Sequence, residues 1–137
     1  MESKERFYNK SKRSTGKDSS WEPVGKWYNE IVGKEGHYYH QHVILPRVIG
    51  LLKGAHKVLD LGCGQGILSR ALDKEVDYTG VDLSRSLVED AKKQNRRKNH
   101  QFFLGDTTKP LPISDHDYTH TIFILSLQNM ALPEQAI

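Results

Sequence analysis

The sequence predicts an α/β protein with a parallel sheet, and three observations lead to this prediction. From residue 57 onward, short runs of β-branched and apolar residues alternate with segments of helical spacing. The first run leads directly into a glycine-rich turn, and aspartates recur at the ends of the first three runs. Strands that alternate with helices are joined by right-handed crossovers, which make the strands parallel. In such a sheet, ligands bind at the carboxyl edge of the strands.

Four strands and two crossover helices follow from the pattern. The predicted strands cover residues 57–61, 76–81, 101–104 and 118–125. The crossover helices cover residues 67–74 and 84–97. Ser84 is expected to cap the second helix, whose inward face consists of Leu87, Val88 and Ala91. The proline-containing segment 105–117 is predicted to be a loop, and the apolar end of the fourth strand indicates burial on both faces.

The N-terminal part of the chain differs in composition from the rest. Residues 1–20 hold six of the 20 Lys and Arg residues and three of the 17 Asp and Glu residues, so the whole excess of +3 lies there. This Ser- and Lys-rich stretch is too polar to fold alone, and we expect a disordered basic leader. Amphipathic helices are predicted over residues 21–53 and an α/β core over residues 55–137. Because the charges beyond residue 20 balance, a nucleic-acid partner is not expected.

Composition also indicates where in the cell the protein is located. No apolar run approaches the roughly 18 residues that span a bilayer, and a single cysteine fits a reducing compartment, so the cytoplasm is expected.

The second N-terminal helix is predicted over residues 37–52, with Pro46 at a kink or in its first turn. Its apolar side is expected to comprise Val43, Ile44, Val48, Leu51 and Leu52.

The strongest chemical signal is the run VLDLGCGQG at residues 58–66, between the first strand and a helix. Glycines allow positive φ and close approach of the backbone to a ligand, at a helix N-terminus whose N–H groups are free. A dinucleotide-binding turn would have glycine or alanine where Ile67 stands. Asp60, just before the turn, would also lie poorly beside a pyrophosphate. The turn therefore favours a nucleoside cofactor with a positively charged group.

Two further aspartates lie at the ends of the next two predicted strands. Asp82 follows Gly62 by twenty residues, the offset at which an acid accepts hydrogen bonds from ribose hydroxyls. Asp106 follows the third strand. Together with Asp60 they place three carboxylates at one edge of the sheet, beside the glycine turn. Three acids at consecutive strand ends predict a ligand crevice rather than unrelated loop residues.

These segments resemble the motifs of class I S-adenosylmethionine-dependent methyltransferases. The resemblance is carried by VLDLGCGQG, by GVDLS at residues 80–84 and by FFLGD at residues 102–106, and covers about residues 21–130. It implies a Rossmann-like three-layer sandwich with parallel strands in the order 3-2-1-4. The complete family fold has seven strands, so the resemblance leads us to expect that the C-terminal strands are missing from this chain. The fourth strand would then be an exposed edge, which a homodimer would cover.

The resemblance also implies a set of cofactor-binding residues. Asp60 would meet the amino group of the methionine part, directly or through water, and Asp82 would hold the ribose hydroxyls. Asp106 would accept a hydrogen bond from the adenine amino group. Phe123 and Ile124 would line the methyl-transfer cleft, and an aromatic pair, Trp27 and Tyr28, would belong to a lid helix, with core packing as the alternative. The full set is Tyr28, Asp60, Gly62, Cys63, Gly64, Gly66, Asp82, Leu83, Asp106, Thr107, Phe123 and Ile124.

The function that this resemblance implies is methyl transfer from S-adenosylmethionine to a small-molecule acceptor, with S-adenosylhomocysteine as product and no metal ion. The sulfonium is already activated, so positioning supplies much of the catalysis and no catalytic residue follows from the motifs. Methyltransferases that act on exocyclic or amide nitrogens often carry an Asn/Asp-Pro-Pro-aromatic motif after the fourth strand. This chain lacks the motif there, which favours a small-molecule acceptor. A non-catalytic cofactor-binding fragment is one alternative. A nicotinamide-dependent oxidoreductase is a distant second, opposed by the glycine spacing.

Overall fold

The computed structural model describes Glu30 and residues 38–137 of the chain. The predicted leader and the helix predicted to carry Trp27 and Tyr28 lie outside the described residues. Within the described residues the sheet has four strands: β1 (Lys57–Leu61), β2 (Asp77–Asp82), β3 (His100–Leu104) and β4 (His120–Ile122). All neighbouring strands are parallel, and their order is β3-β2-β1-β4. The α/β fold class and the predicted strand order are confirmed.

The strand register brings the predicted ligand-binding ends of the strands to one level. Leu61 of β1 lies beside Val81 of β2, and Asp82 lies beside Leu104 of β3. Residues that directly follow these pairs therefore meet at the carboxyl edge. The glycine turn, Asp82 and the segment after β3 become spatial neighbours there, as the sequence predicts.

Three α-helices accompany the sheet in the described part of the chain. A π-helical turn, His40–Ile44, runs into α1 (Leu45–Leu51), α2 is Ile67–Ala71, and α3 is Arg85–Gln94. Ser84 caps α3 as predicted, since its Oγ accepts a hydrogen bond from the Leu87 backbone N–H. The predicted inward side chains of α3 are all buried. No helix in the described part of the chain is both long and apolar enough to cross a membrane.

The N-terminal helix differs from its prediction on one face. Pro46 lies in the first turn of α1, directly after the π-helical turn. Leu45 and Leu52 are buried, but Leu51 is 79% exposed, so its predicted place on the apolar face is wrong. At about 100° per residue, Leu51 lies roughly 120° from the face shared by Leu45 and Leu52.

The core has two parts, one on each face of the sheet. Val58, Tyr78 and Phe102 pack with side chains of all three helices on one face. The other face carries Leu59, Leu61 and Val81. Partly buried residues of the predicted loop and its flanks cover this face, among them Leu111, Ile113 and Tyr118. Alternate residues of a strand point to opposite faces, so β1 contributes to both parts. Within the described residues the third layer is this loop rather than a helix.

The fourth strand is shorter and more exposed than the sequence indicates. β4 has three residues, each intermediate or exposed, so the predicted burial on both faces is wrong. The physical reason is its position, because β4 pairs with β1 on one side and has no strand on the other among the described residues. Beyond β4 the chain turns sharply at Leu125, whose φ is 51°, in the left-handed region. The segment that follows turns toward the carboxyl edge of the sheet.

Candidate cofactor-binding site

A cavity of about 360 Å³ lies at the carboxyl edge of the sheet. The turn after β1, the ends of β2 and β3 and the segment after β4 enclose it, together with one side chain of the π-helical turn. Its lining residues are His40, Gly62, Gly64, Asp82, Leu83, Leu87, Asp106, Thr107, Thr108, Ile124, Leu125, Ser126, Gln128, Asn129, Met130 and Ala131. The strand ends that the sequence singles out therefore form one concave site, of the kind that small ligands occupy.

The glycine turn after β1 depends on backbone conformations that side chains oppose. Gly62, Gly64 and Gly66 have φ of 83°, 56° and 80°, all in the left-handed region. The N–H groups of Gly62 and Cys63 donate to the Val81 carbonyl at 2.8 and 3.1 Å, which fixes the turn to the end of β2. The turn thus presents backbone rather than side chains to the cavity at Gly62 and Gly64.

The segment after β4 packs directly on this turn. Ser126 Oγ donates a hydrogen bond to the Leu61 carbonyl at 2.8 Å. A Cβ atom at Gly62 would lie 2.4 Å from Ser126 Cβ, so only glycine fits at this contact. After β3, Thr107 Oγ1 donates a hydrogen bond to Met130 Sδ at 3.6 Å. The segment is therefore held at both the first and the third strand end.

Asp82 at the end of β2 has a fixed carboxylate. Its Oδ2 accepts from the Gly64 N–H at 2.9 Å and its Oδ1 accepts from the Ser84 N–H at 2.9 Å. The residue is 8% exposed and lines the cavity. Leu83, the next residue, is 41% exposed and also lines the cavity. A buried acceptor and an exposed apolar side chain are thus adjacent at one strand end.

Asp106 after β3 is held in its ionised form. Its Oδ1 accepts from the Thr108 hydroxyl at 2.6 Å and from the Thr108 N–H at 2.9 Å. The Thr108 hydroxyl is the main reason that the pKa of Asp106 lies below its usual value. Lys109 lies 3.7 Å from Oδ2 and acts in the same direction. The carboxylate is therefore a hydrogen-bond acceptor at neutral pH, at the wall of the cavity.

Asp60 differs from the other two acids because it is buried and lies outside the cavity lining. Its Oδ2 accepts from the Tyr78 hydroxyl at 2.6 Å, and its Oδ1 has no hydrogen-bond partner among the described residues. The pKa of Asp60 is raised to about 7, chiefly because burial disfavours the charged form. The Tyr78 hydrogen bond lowers this pKa and the charge of Asp82 raises it. Among the described residues, Asp60 therefore has one carboxyl oxygen, Oδ1, that is not engaged in a hydrogen bond.

The structure brings seven of the twelve predicted residues to the cavity: Gly62, Gly64, Asp82, Leu83, Asp106, Thr107 and Ile124. Asp60 is buried outside the lining, and Gly66 lies where a Cβ atom would come within 2.9 Å of Phe102. Cys63 is buried against Gly80, and burial raises the pKa of its thiol. Phe123 packs with the core on the other face, because adjacent residues of an extended segment point to opposite sides. Tyr28 lies outside the described residues.

Nine lining residues were not predicted. They are His40, Leu87, Thr108, Leu125, Ser126, Gln128, Asn129, Met130 and Ala131. Six of these nine follow β4, at the edge where the predicted acids meet. Position after a fourth parallel strand was a signal that could have placed them in the site. His40 and Leu87 lie on helices, and the sequence around them carries no indication of a ligand.

The fold is that of a Rossmann-like domain with a cavity at the carboxyl ends of its parallel strands. A family model described as "methyltransferase domain" matches residues 58–137, more than half of the chain. The chain belongs to this family, as a class I methyltransferase domain. The resemblance stated from the sequence motifs is confirmed.

Two relatives in sequence and one solved structure are similar to this chain. A ubiquinone biosynthesis O-methyltransferase of Coxiella burnetii is 60% identical over 67 residues, which are 48% of this chain and 27% of that protein. A Geobacillus sp. (strain WCH70) protein described as a methyltransferase is 30% identical over 122 residues, covering 86% of this chain and 49% of its own. The chain thus spans at most about half of these relatives. A magnesium protoporphyrin IX methyltransferase of Synechocystis, solved with bound SAM, shares the fold with a TM-score of 0.64 at 18% identity, over 89% of this chain and 69% of its own.

Proposed function

We propose that this chain binds S-adenosylmethionine in the cavity at the carboxyl edge and presents its methyl group to a small-molecule acceptor. The observation that carries the proposal is the Asp82 carboxylate, fixed by two backbone N–H groups beside the glycine turn. A carboxylate at the end of the second strand is suited to accept from both hydroxyls of a ribose. Membership of the methyltransferase family supports S-adenosylmethionine as the nucleoside.

The residues present fit each part of this cofactor. Asp60 Oδ1, buried and without a hydrogen-bond partner among the described residues, suits the cationic amino group of the methionine part. Gly62 and Gly64 leave room for that part beside the turn. Leu83 offers an exposed apolar surface for the adenine ring. The ionised Asp106 offers an acceptor for the adenine amino group.

The bound cofactor would supply a methyl group already activated by its sulfonium. The work left to the chain is to hold the cofactor, orient it and exclude water. Apolar side chains of the cavity lining serve the last purpose: Leu87, Ile124, Leu125, Met130 and Ala131. Transfer to a hydroxyl oxygen would form the O–CH3 bond as the S–CH3 bond breaks, with S-adenosylhomocysteine as the leaving product and the hydroxyl proton released to solvent, and we assign no catalytic base.

An oxygen atom of a small molecule is the acceptor we propose. The support is the Coxiella relative, an O-methyltransferase of ubiquinone biosynthesis by name, which is 60% identical in the matched segment. Incubating the chain with methyl-labelled S-adenosylmethionine and a panel of small hydroxyl-bearing molecules would test the proposal. Labelled product supports it, and tight cofactor binding without transfer favours the non-catalytic alternative.

Assembly and location complete the proposal. β4 presents an unpaired edge among the described strands, and pairing of two copies across it would satisfy its backbone groups. Sedimentation should then show a dimer, whereas a monomer at high concentration would exclude this pairing. The single cysteine, which is free and buried, fits the cytoplasm as the proposed location.

The test of cofactor binding is a calorimetric titration with S-adenosylhomocysteine, compared between Asp82→Ala and Asp115→Ala. Loss of two hydrogen bonds to a charged acceptor, at about 1.5–3 kcal/mol each, predicts at least about 100-fold weaker binding for Asp82→Ala. Asp115→Ala removes the same charge from an exposed ion pair with Lys57, at the other end of β1, and should bind normally. Equal affinities of the two variants, both shown to be folded by circular dichroism, would refute the proposed site.

A further inference from the structure

We infer that Tyr78 is a positioning residue for the cofactor, whose hydroxyl holds the Asp60 carboxylate ready for the amino group of the methionine part. This inference rests on the proposed function, since it assumes that the cofactor occupies the cavity. Tyr78 itself does not line the cavity, so it acts through Asp60.

The contact between the two residues is short and buried. Tyr78 is 1% exposed and Asp60 2% exposed, and the hydroxyl donates to Oδ2 at 2.6 Å. The two residues lie on adjacent parallel strands, with Asp60 paired in register to Gly80. A Cβ atom at Gly80 would lie 3.0 Å from the Tyr78 hydroxyl oxygen. The glycine therefore leaves the room in which the hydroxyl reaches across to β1.

The tyrosine ring is itself held by its neighbours. Its centroid lies 5.3 Å from that of His100 and 5.6 Å from that of Phe102, both on β3. His100 in turn is fixed by a contact of its Nδ1 with Ser69 Oγ at 2.7 Å. A hydroxyl on a packed ring fixes the carboxylate that it binds, so Oδ1 of Asp60 remains in one orientation. That oxygen has no hydrogen-bond partner in the described part of the chain.

The hydroxyl also bears on the charge of Asp60. Burial raises the pKa of Tyr78, so the phenol keeps its proton and acts as donor. A donor stabilises the ionised carboxylate, which is the form that attracts an ammonium group. The other titratable or charged groups around the pair come from β2, β3, the glycine turn and α2: Asp82, His100, Cys63 and Arg70. Of these four groups, Asp82 opposes ionisation of Asp60 through its negative charge. The Tyr78 hydroxyl favours ionisation of Asp60.

Tyr78→Phe removes the hydroxyl and keeps the ring in the core. Loss of a hydrogen bond to a charged group corresponds to an upward shift of about one pH unit in the ionisation of Asp60. If only the ionised form binds well, the variant binds S-adenosylhomocysteine about ninefold more weakly than the parent chain at pH 6 and about fivefold more weakly at pH 7. Near pH 9 the two affinities should agree within about twofold, because Asp60 is then ionised in both chains.

The matched control is Tyr118→Phe. The Tyr118 hydroxyl also reaches β2, where it donates to Thr79 Oγ1 at 3.0 Å, but on the other face of the sheet. This variant should have the affinity profile of the parent chain at every pH. Asp60→Asn removes the group that ionises. When both chains carry Asp60→Asn, the affinity difference caused by Tyr78→Phe should no longer depend on pH.

The experiment has two measurements, titration with S-adenosylhomocysteine from pH 6 to pH 9 and carbon NMR of the Asp60 carboxyl group in the unliganded protein. A larger affinity loss at low pH together with a higher NMR midpoint in Tyr78→Phe supports the inference. An affinity loss of equal size at every pH, or an unchanged midpoint in a folded variant, overturns it. If the parent chain binds no S-adenosylhomocysteine, the proposed function fails and the inference with it. Normal parental binding with an unchanged NMR midpoint refutes the role of Tyr78 alone.

Discussion

Gly62→Ala should destabilise the chain far more than the same change at another glycine of equal backbone conformation. Gly62 and Gly54 have nearly equal φ, 83° and 81°. A Cβ atom at Gly54 meets nothing within 4 Å, whereas at Gly62 it would lie 2.4 Å from Ser126 Cβ and 2.8 Å from Ser126 Oγ. The comparison therefore separates the cost of backbone strain from the cost of the contact between the glycine turn and the segment after β4.

The magnitudes follow from these two costs. A left-handed alanine costs about 1–2 kcal/mol, which is the whole effect expected for Gly54→Ala. Overpacking adds about 1–3 kcal/mol at Gly62, for a total loss of about 2–5 kcal/mol. Urea unfolding followed by circular dichroism measures both free energies of unfolding. Gly62→Ala should also weaken binding of S-adenosylhomocysteine, since relief of the overlap displaces the turn.

A double-mutant cycle isolates the contact itself. Ser126→Gly removes both atoms that the new Cβ atom would overlap. The combined variant Gly62→Ala/Ser126→Gly should therefore lose at least about 1 kcal/mol less than the sum of the single losses. Additive losses, or equal losses for Gly62→Ala and Gly54→Ala within about 0.5 kcal/mol, would refute the packing of this segment on the turn.

Three further expectations concern stability, each measured by urea unfolding. Gly50→Ala, in α1 with open space around it, should raise the free energy of unfolding by about 0.5–1 kcal/mol, and a loss would contradict a helical Gly50. Arg97→Ala should lower it by about 2 kcal/mol, because Arg97 donates to the Ser69 and Leu72 carbonyls at the end of α2, while the exposed Arg96→Ala should change little. The free energy of unfolding should fall as the pH rises from about 4 to about 7, because folded Asp60 holds its proton up to about 7 and the unfolded residue loses it near 3.8. Asp60→Asn should reduce that slope, and an unchanged slope would mean that Asp60 titrates normally.

The parts of the fold that depend on local chemistry could be predicted from the sequence. Leu87, Val88 and Ala91 recur at helical spacing and indicate a helix. Ser84, just before this segment, is a residue type that commonly caps a helix N-terminus. Asp82 and Asp106 follow apolar runs, so the topology alone brings them to one edge. The strand order follows from the family resemblance, and the register confirms it.

The remaining features depend on contacts between distant parts of the chain. The length and burial of β4 are set by whether a strand lies beside it, which its own residues do not encode. Residues 125–131 have neither helical nor strand periodicity, and their position over the site follows from the turn at Leu125 and the contact of Ser126 with Gly62. The bond between Tyr78 and Asp60 joins residues 18 positions apart on two strands, and no local pattern marks it.

A crystal structure of this chain with S-adenosylhomocysteine tests the central claim most directly. The account predicts the ligand in the cavity at the carboxyl edge, with both ribose hydroxyls donating to Asp82 and the adenine between Leu83 and Asp106. The amino group of the ligand should lie near Asp60 Oδ1, directly or through one water. Density for the ligand elsewhere, or a ribose that makes no contact with Asp82, would contradict the assignment of this cavity as the cofactor site.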